Sequence, residues 1–215
     1  MTPRRKRPAV KSRVDGNSLA AQVQRFLEWL RVHNYSPNSV INHGLHLAAF
    51  IEWADVRNVT TPQQVTKAIL DGYQRSLFHG QGRRGKPLAF TSQQGRLVSV
   101  RVFFRWLVRQ NVLLFNPASE IELPKIPKRL PKDILTPAEA ERVLAQPDTK
   151  TVFGIRDRAI LEVLYSTGMR RAEVIHLAII DVDADRGVIS IREGKGRKDR
   201  VVPCGKRALA WVRRY

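Results

Sequence analysis

Three charged side chains in the second half of the sequence have types and spacing that suit chemistry at a negatively charged oxygen. Arg170 follows Gly168-Met169 at an expected helix start, and Glu173 lies one helical turn further on. A guanidinium is permanently charged and can donate two hydrogen bonds to phosphate oxygens, and a carboxylate three residues later can brace it. Lys195 lies between two glycines and could act as general acid at a leaving oxygen, with Lys198 as the competing candidate.

The residue types alone leave two explanations open. Arg170 could be an ordinary surface arginine of a helix, and a hairpin tip rich in lysine and glycine could serve only solubility. Only the sequence pattern around these residues can distinguish a reactive site from a solvated surface.

Other combinations of reactive residues are weaker. Residues 181–185 have the alternating aspartates that open a calcium loop, but Arg186 occupies the sixth place, where that loop needs glycine. His43 and His46 lie one helical turn apart without an evident third metal ligand, so we interpret them as a surface pair. Cys204 is the only cysteine, which excludes a disulfide framework and a multi-cysteine zinc site. No phosphate-binding or dinucleotide-binding glycine motif occurs, so the sequence predicts neither a cofactor nor a bound metal.

The charge balance indicates a polyanionic partner. The 215 residues include 38 Lys and Arg against 19 Asp and Glu, for a formal charge of +19. Such an excess destabilises a compact protein by self-repulsion unless a polyanion offsets it, and duplex DNA is the first candidate. Because the apolar runs are too short for a membrane span and disulfides are excluded, we expect a cytoplasmic protein without a membrane partner. The residues expected to contact DNA are Arg83, Arg84, Lys86, Arg101, Arg105, Lys125, Lys128, Arg129 and Lys198.

A helical first domain is expected to carry much of that basic surface. After a basic arm, residues 1–17, apolar residues recur at helical spacing over residues 18–115 and predict four helices. The predicted second helix buries a stripe that includes Ile41 and Leu45. Each helix has a candidate capping residue at its expected start, namely Ser18, Ser36, Thr61 and Thr91.

Residues 116–133 separate this domain from a second one, residues 134–215. The four prolines of the segment prevent a continuous helix, and its cations favour a stiff linker that lies along DNA over a plain spacer. The second domain opens on a capping box at Thr136 and continues with short helices. A strand over residues 188–191 and a partner strand from Val201 flank the glycine-rich hairpin tip. The expected fold class is mainly α with a small β-hairpin or sheet.

Two segments of the second domain resemble the tyrosine recombinase family. The first, residues 156–181, contains the string YSTGMR ending at Arg170 and is similar to that family's first arginine box. The second, GKGRKDRVVP over residues 194–203, is similar to the family's β-hairpin with an active-site lysine, which aligns with Lys195. Both occur in order and at family spacing. The linker style is most similar to Xer-type recombinases and to phage or integron integrases.

The resemblance implies a fold, an activity and a set of roles. Members of the family cut and rejoin DNA strands through a 3′-phosphotyrosine intermediate. Arg170 would stabilise the phosphate, Glu173 would support that arginine, and Lys195 would act as general acid. The family also implies an N-terminal four-helix SAM-like domain that clamps DNA, the first half of a catalytic domain, and a tetrameric synapse of protomers on two DNA sites. The protein would be bacterial or phage-encoded.

The rest of the family pattern is not found in the 215 residues. That pattern continues with a His-x-x-Arg segment and a nucleophilic tyrosine, yet no histidine follows His176. Tyr215 comes too soon after Lys195 to be the nucleophile and is interpreted as an ordinary helix residue. The remaining tyrosines are expected in the core: Tyr35, Tyr73 and Tyr165. We therefore expect a chain truncated inside the catalytic domain, whose own enzymatic activity stays open.

Three functional hypotheses result. The first is a tyrosine recombinase that acts in DNA integration or site-specific recombination. The second is a catalytically dead relic that still binds DNA at recombination sites. The third is an unrelated helix-turn-helix regulator that shares only basic helices with the family.

Overall fold

The structure, a computed structural model, describes residues 16–82, 85–127, 134–192, 194 and 198–215. Most described residues are helical, and three short strands form one antiparallel sheet. The mainly α fold class with a small sheet is therefore confirmed. The chain divides into two units, residues 1–129 and 130–215, which are described separately below.

Four α-helices build the described part of the first unit, and two of them begin where the sequence predicts. Ser18 caps the first helix by accepting a hydrogen bond from the Ala21 N–H, and Ser36 caps the second in the same way from Ser39. Pro37 takes the first helical position, where its missing N–H costs nothing. The helices are α1 (Leu19–Val32), α2 (Pro37–Asp55), α3 (Lys67–His79) and α4 (Phe90–Arg109).

The predicted start of the third helix at Thr61 is wrong. Gln64 does close a box with Thr61, accepting its N–H at 3.0 Å, but the box encloses only a single 3₁₀ turn. Val65 then takes an extended conformation, and α3 begins after a second cap, Thr66, whose hydroxyl accepts from the Ile69 N–H. A capping motif satisfies the first free N–H groups of any helical turn, so it does not fix how far the helix continues. The fourth helix begins at Phe90, one residue before the predicted Thr91.

Aromatic rings fill the centre of the first unit. Phe26, Phe50, Phe103 and Phe104 are each fully buried and meet mostly edge to face, a geometry that aromatic pairs prefer. Tyr73 joins them from α3, which confirms its predicted place in the core.

Some apolar side chains predicted to be buried lie at the surface instead. Helix α2 buries Val40, Leu47, Phe50 and Ala54, whereas Ile41 and Leu45 are 57% and 65% exposed. Helix α2 is apolar on more than one face, so its sequence does not by itself identify the buried stripe. Tyr35 and Tyr165 are also largely exposed, contrary to prediction.

His43 and His46 are not a surface pair, because both are half-buried between α2 and α4. Their Nδ1 atoms lie 3.0 Å and 2.9 Å from the Ser99 hydroxyl, which itself donates to the Gly95 carbonyl. Burial is the main cause that lowers the pKa of both histidines. The neighbouring His46 further lowers the pKa of His43, and the charge of Arg96 further lowers the pKa of His46.

The first part of the predicted linker packs on the first unit. Ala118 and Ile121 are buried in its core, and Lys67 of α3 forms a 2.7 Å ion pair with Glu120. The Gln74 side chain donates to the Glu122 carbonyl at 2.9 Å.

Short helices surround the sheet of the second unit. The predicted box at Thr136 is confirmed, since its hydroxyl and N–H exchange hydrogen bonds with Glu139. The predicted hairpin strands are present, and a strand that was not predicted, β1, pairs with the first of them. The elements are α5 (Pro137–Leu144), α6 (Val152–Thr167), α7 (Arg171–Ile175), β1 (Val182–Asp183), β2 (Val188–Ile191), β3 (Arg200–Pro203) and α8 (Lys206–Arg214).

A buried carboxylate joins three of these helices. Glu162 of α6 is 1% exposed, and it accepts two hydrogen bonds from Arg158 on its own helix. Its other oxygen accepts from Arg207 of α8 at 2.8 Å, and Arg207 also pairs with Glu141 of α5. The carboxylate is compensated by charged donors, which is the condition under which a buried charge is tolerated.

Candidate functional site at a cationic cleft

A left-handed glycine turn places Arg170. Helix α6 ends at Gly168, whose φ of 61° is readily adopted by glycine and rarely by residues with a side chain. Met169 is buried in the core of the unit and anchors the turn. Arg170 is then the N-cap of α7, in extended conformation, with its side chain more than half exposed.

Glu173 holds Arg170 as the spacing predicts. One carboxylate oxygen accepts the Arg170 backbone N–H at 2.8 Å, and the other accepts its Nη1 at 3.0 Å. The backbone bond fixes the start of α7, and the side-chain bond limits the directions that the guanidinium can take. Glu173 is thus both a helix cap and a support for the arginine.

Arg200 is the partner that the sequence did not reveal. From β3 it donates Nη1 and Nη2 to the two oxygens of Glu173, at 2.9 Å and 2.7 Å. The hydrogen bonds of Arg200, followed by the backbone N–H of Arg170, lower the pKa of Glu173 to about 2. Glu173 is therefore ionised at any pH at which the protein would function.

The base of the β2–β3 hairpin packs directly against this ion pair. The Gly194 N–H donates to the Lys198 carbonyl at 3.2 Å and closes the hairpin. A Cβ atom at Gly194 would lie 2.8 Å from Arg200 Nη1 and 3.3 Å from Glu173 Oε1, so the close approach requires glycine. Lys195, the predicted general acid, lies outside the described residues.

An open cleft of about 410 Å³ lies above these groups, lined by Gly168, Arg170, Lys198 and Arg200. Of the described residues that line it, three are cationic, and Glu173 beneath them neutralises one charge. A cleft with excess positive charge and exposed guanidinium donors suits an anion such as a phosphate group. Lys198, the competing general-acid candidate, is one of the residues that line the cleft.

A second carboxylate braces the other strand of the hairpin. Asp181 accepts the Ala178 N–H at 3.0 Å and the Arg192 Nε at 2.7 Å. These two donors, the backbone first, hold the pKa of Asp181 below its usual range. An arginine therefore ties each side of the hairpin to a buried carboxylate: Arg192, directly after β2, to Asp181, and Arg200 of β3 to Glu173.

The other predicted DNA contacts are distributed over the first unit. Lys86, Arg105 and Lys125 are exposed, while Arg101 on α4 is half-buried. The predicted contacts that lie outside the described residues are Arg83, Arg84, Lys128 and Arg129. Among the described residues, no group of three His, Cys, Asp or Glu side chains could hold a metal ion, and no helix has the length and apolarity to cross a membrane.

Comparison with known families identifies the chain. A model of the phage integrase family matches residues 133–215, and a model of the phage integrase N-terminal SAM-like domain matches residues 23–111. The chain belongs to the phage integrase family of tyrosine recombinases. An unrelated helix-turn-helix regulator is therefore excluded, and the recombinase hypothesis is favoured.

Two curated bacterial recombinases illustrate the relationship. The chain is 48% identical over 197 residues to tyrosine recombinase XerC 2 of Ralstonia nicotianae, which covers 92% of this chain and 57% of the relative. It is 34% identical over 195 residues to tyrosine recombinase XerD of Pseudomonas putida, covering 90% of this chain and 62% of the relative. The chain thus spans about three fifths of the length of these tyrosine recombinases.

A solved integrase has the same fold. A lambda integrase tetramer bound to a Holliday junction matches 89% of this chain and 51% of its own chain, with a TM-score of 0.63 and 15% identity. At that identity the likeness concerns the fold. It agrees with the tyrosine recombinase family that the sequence matches assign.

Proposed function

We propose that this protein acts in site-specific DNA recombination by binding duplex DNA and receiving one strand phosphate in the cationic cleft. The observation that carries the proposal is the convergence of Arg170, Lys198 and Arg200 on one open cleft above the ionised Glu173. The proposal is supported by the curated relatives, which are tyrosine recombinases, and by the lambda integrase, whose solved structure holds a Holliday junction.

In this proposal Arg170 stabilises the charge that develops on the phosphate oxygens during strand cleavage. Its Nη1 is held by Glu173, while its exposed edge is available to the substrate. A lysine from the segment between β2 and β3 protonates the leaving 5′ oxygen, so that the departing group leaves as a neutral hydroxyl. Lys195 takes that role on the family alignment, and Lys198 is the alternative because it already lines the cleft.

Strand cutting through a 3′-phosphotyrosine intermediate also needs a nucleophilic tyrosine and a second arginine. We assign neither within residues 1–215, since the His-x-x-Arg segment of the family pattern is not found there. Tyr215 is an exposed residue at the end of α8 and is not proposed as the nucleophile.

The first unit supplies the sequence-independent part of DNA binding in this proposal. Cations of this unit neutralise backbone phosphates and release condensed counterions. The protein acts in the bacterial cytoplasm, where its DNA substrate lies, and protomers assemble as a tetramer on two DNA sites. The residues proposed for these phosphate contacts are Arg83, Arg84, Lys86, Arg101, Arg105, Lys125, Lys128 and Arg129.

Fluorescence anisotropy with a labelled mixed-sequence duplex tests the proposal. The chain should bind, and the logarithm of its affinity should fall linearly with the logarithm of salt concentration between about 50 and 200 mM. Joint replacement of Arg83, Arg84 and Lys86 with alanine should reduce that slope by up to about 0.9 for each lost phosphate contact. Failure of the parent chain to bind any duplex would refute the proposed function, and an unchanged slope would show that Arg83, Arg84 and Lys86 do not contact DNA phosphates.

A further inference from the structure

The carboxylate of Glu173 is shared unequally by two arginines. Arg200 donates to both of its oxygens, whereas the side chain of Arg170 donates only Nη1 to one of them. We propose that Arg200 is a positioning residue: by occupying both oxygens of Glu173, it leaves the guanidinium of Arg170 available to the DNA phosphate. The inference rests on the proposed function, because it concerns how the same cleft is prepared for its anion.

The number of donors around the carboxylate supports this role. An ionised carboxylate offers about four acceptor positions, and four N–H groups fill them here. Two come from Arg200, and two come from the backbone and Nη1 of Arg170. In the described part of the chain, the Nε and Nη2 of Arg170 have no protein acceptor. They are the donors that remain for a ligand.

Removal of Arg200 would change this distribution. Two acceptor positions on Glu173 would become vacant next to Arg170, whose side chain is 56% exposed and has room to turn. A bidentate arginine–carboxylate pair is the strong geometry, so Arg170 is expected to rotate its fork onto both oxygens. The N–H groups of Arg170 that face the cleft would then bond the carboxylate and would no longer be available to a phosphate.

The backbone keeps Arg200 in place for this task. Arg200 pairs across the sheet with Ile191, which is buried in the core of the unit, so its Cα position is set by the strand ladder. Gly194 lies so close to the guanidinium that a Cβ there would be 2.8 Å from Nη1, so the hairpin backbone limits the space on that side. Arg200 therefore connects the hairpin base to α7, the helix that carries Glu173.

A simpler role must be separated from this one. Arg200 also lines the cleft and is about one third exposed, so it could act only as one more positive charge near the phosphate. A charge acts on DNA whether or not Glu173 is ionised. A positioning role through Glu173 disappears when that carboxylate is removed.

A double-mutant cycle on the 215-residue chain distinguishes the two roles. Duplex affinity is measured by anisotropy for the parent, R200Q, E173Q and the double variant. Positioning predicts that R200Q weakens binding roughly tenfold in the parent but less than about threefold in the E173Q background, as expected for residues that act as a unit. An equal loss in both backgrounds would overturn the proposal.

The Arg170 Nε–H signal in ¹H–¹⁵N NMR gives a second readout that needs no DNA. R200Q should shift this signal and slow its exchange with solvent, because the fork moves onto the carboxylate, and E173Q should abolish that effect. R192Q is the matched control: Arg192 directly follows β2 and pairs with the buried Asp181, so its removal should leave the signal unchanged. An Arg170 signal unaffected by R200Q would also overturn the proposal.

The role of Arg200 can still be tested if R200Q does not fold or if the parent chain binds no DNA. If R200Q fails to fold by circular dichroism, R200K replaces it. Lysine keeps the charge but cannot bond both oxygens in the planar fork geometry, so the Arg170 signal should still move. If the parent bound no duplex, the proposed function would fail, while the NMR comparison would still decide the role of Arg200.

Discussion

Replacement of Gly194 by alanine should damage the site through packing alone. The new methyl group would lie 2.8 Å from Arg200 Nη1, 2.9 Å from the Lys198 carbonyl and 3.3 Å from Glu173 Oε1. The arginine can move its end, but the Lys198 contact is with backbone and closes the hairpin. Relief therefore requires either a shift of the hairpin base or a weakened Arg200–Glu173 pair.

Overpacking of this kind costs about 1–3 kcal/mol. For a unit of the size of residues 130–215, each kcal/mol lost from the free energy of unfolding lowers the melting temperature by roughly 4–8 °C. Calorimetry of the whole chain should therefore record a fall of about 5–20 °C in the melting temperature of that unit. The displaced arginine should also let the pKa of Glu173 rise from about 2 toward its ordinary value. Carbon-13 NMR of the Glu173 carboxyl group measures that change.

Gly82→Ala in the other unit is the matched control. There the nearest atom to a new Cβ is 3.4 Å away, an ordinary contact, and the expected change in stability is within about 0.5 kcal/mol. If G194A had the melting temperature and the Glu173 pKa of the parent, the close packing of the hairpin base against the ion pair would be refuted.

Three other predictions concern different parts of the chain. Burial lowers the pKa of His43 and His46, so the unfolded state binds more protons than the folded state near pH 6. Thermal melts should therefore show the first unit fully stable above about pH 6.5 and less stable toward pH 5. A melting temperature independent of pH would contradict this. Glu162→Gln should destabilise the second unit by roughly 3 kcal/mol in denaturant titrations, because Arg158 loses its buried counter-charge. On a nicked suicide substrate the 215-residue chain should form no covalent adduct, and Tyr215→Phe should change nothing; an adduct that disappears with this substitution would make Tyr215 a nucleophile.

Local signals predicted much of the fold. The caps at Ser18, Ser36 and Thr136 lie where the sequence places them, because each is satisfied by residues within one helical turn. Arg170 and Glu173 are three residues apart, so their contact also follows from helical geometry. Patterns of this range are readable without tertiary information.

The features that were missed depend on distant contacts. Arg200 meets Glu173 across 27 residues, and no local pattern distinguishes it from the other arginines of the hairpin. The polar environment of His43 and His46 is created by Ser99, more than 50 residues away on α4. The alternation of side chains along a strand could have placed the Arg200 side chain on one face of the sheet. It could not have identified Glu173 as its partner.

If Arg170 contacts a DNA phosphate in the cleft, its removal must change how DNA affinity depends on salt concentration, and a comparison of two arginine variants measures that change. R170Q removes the proposed contact, and R186Q removes an exposed arginine from the β1–β2 turn of the same unit, with the same change in net charge. R170Q should lower the slope of log affinity against log salt by about 0.9, whereas R186Q should leave it unchanged. Equal slopes for R170Q and the parent chain would contradict the claim that the cleft receives DNA.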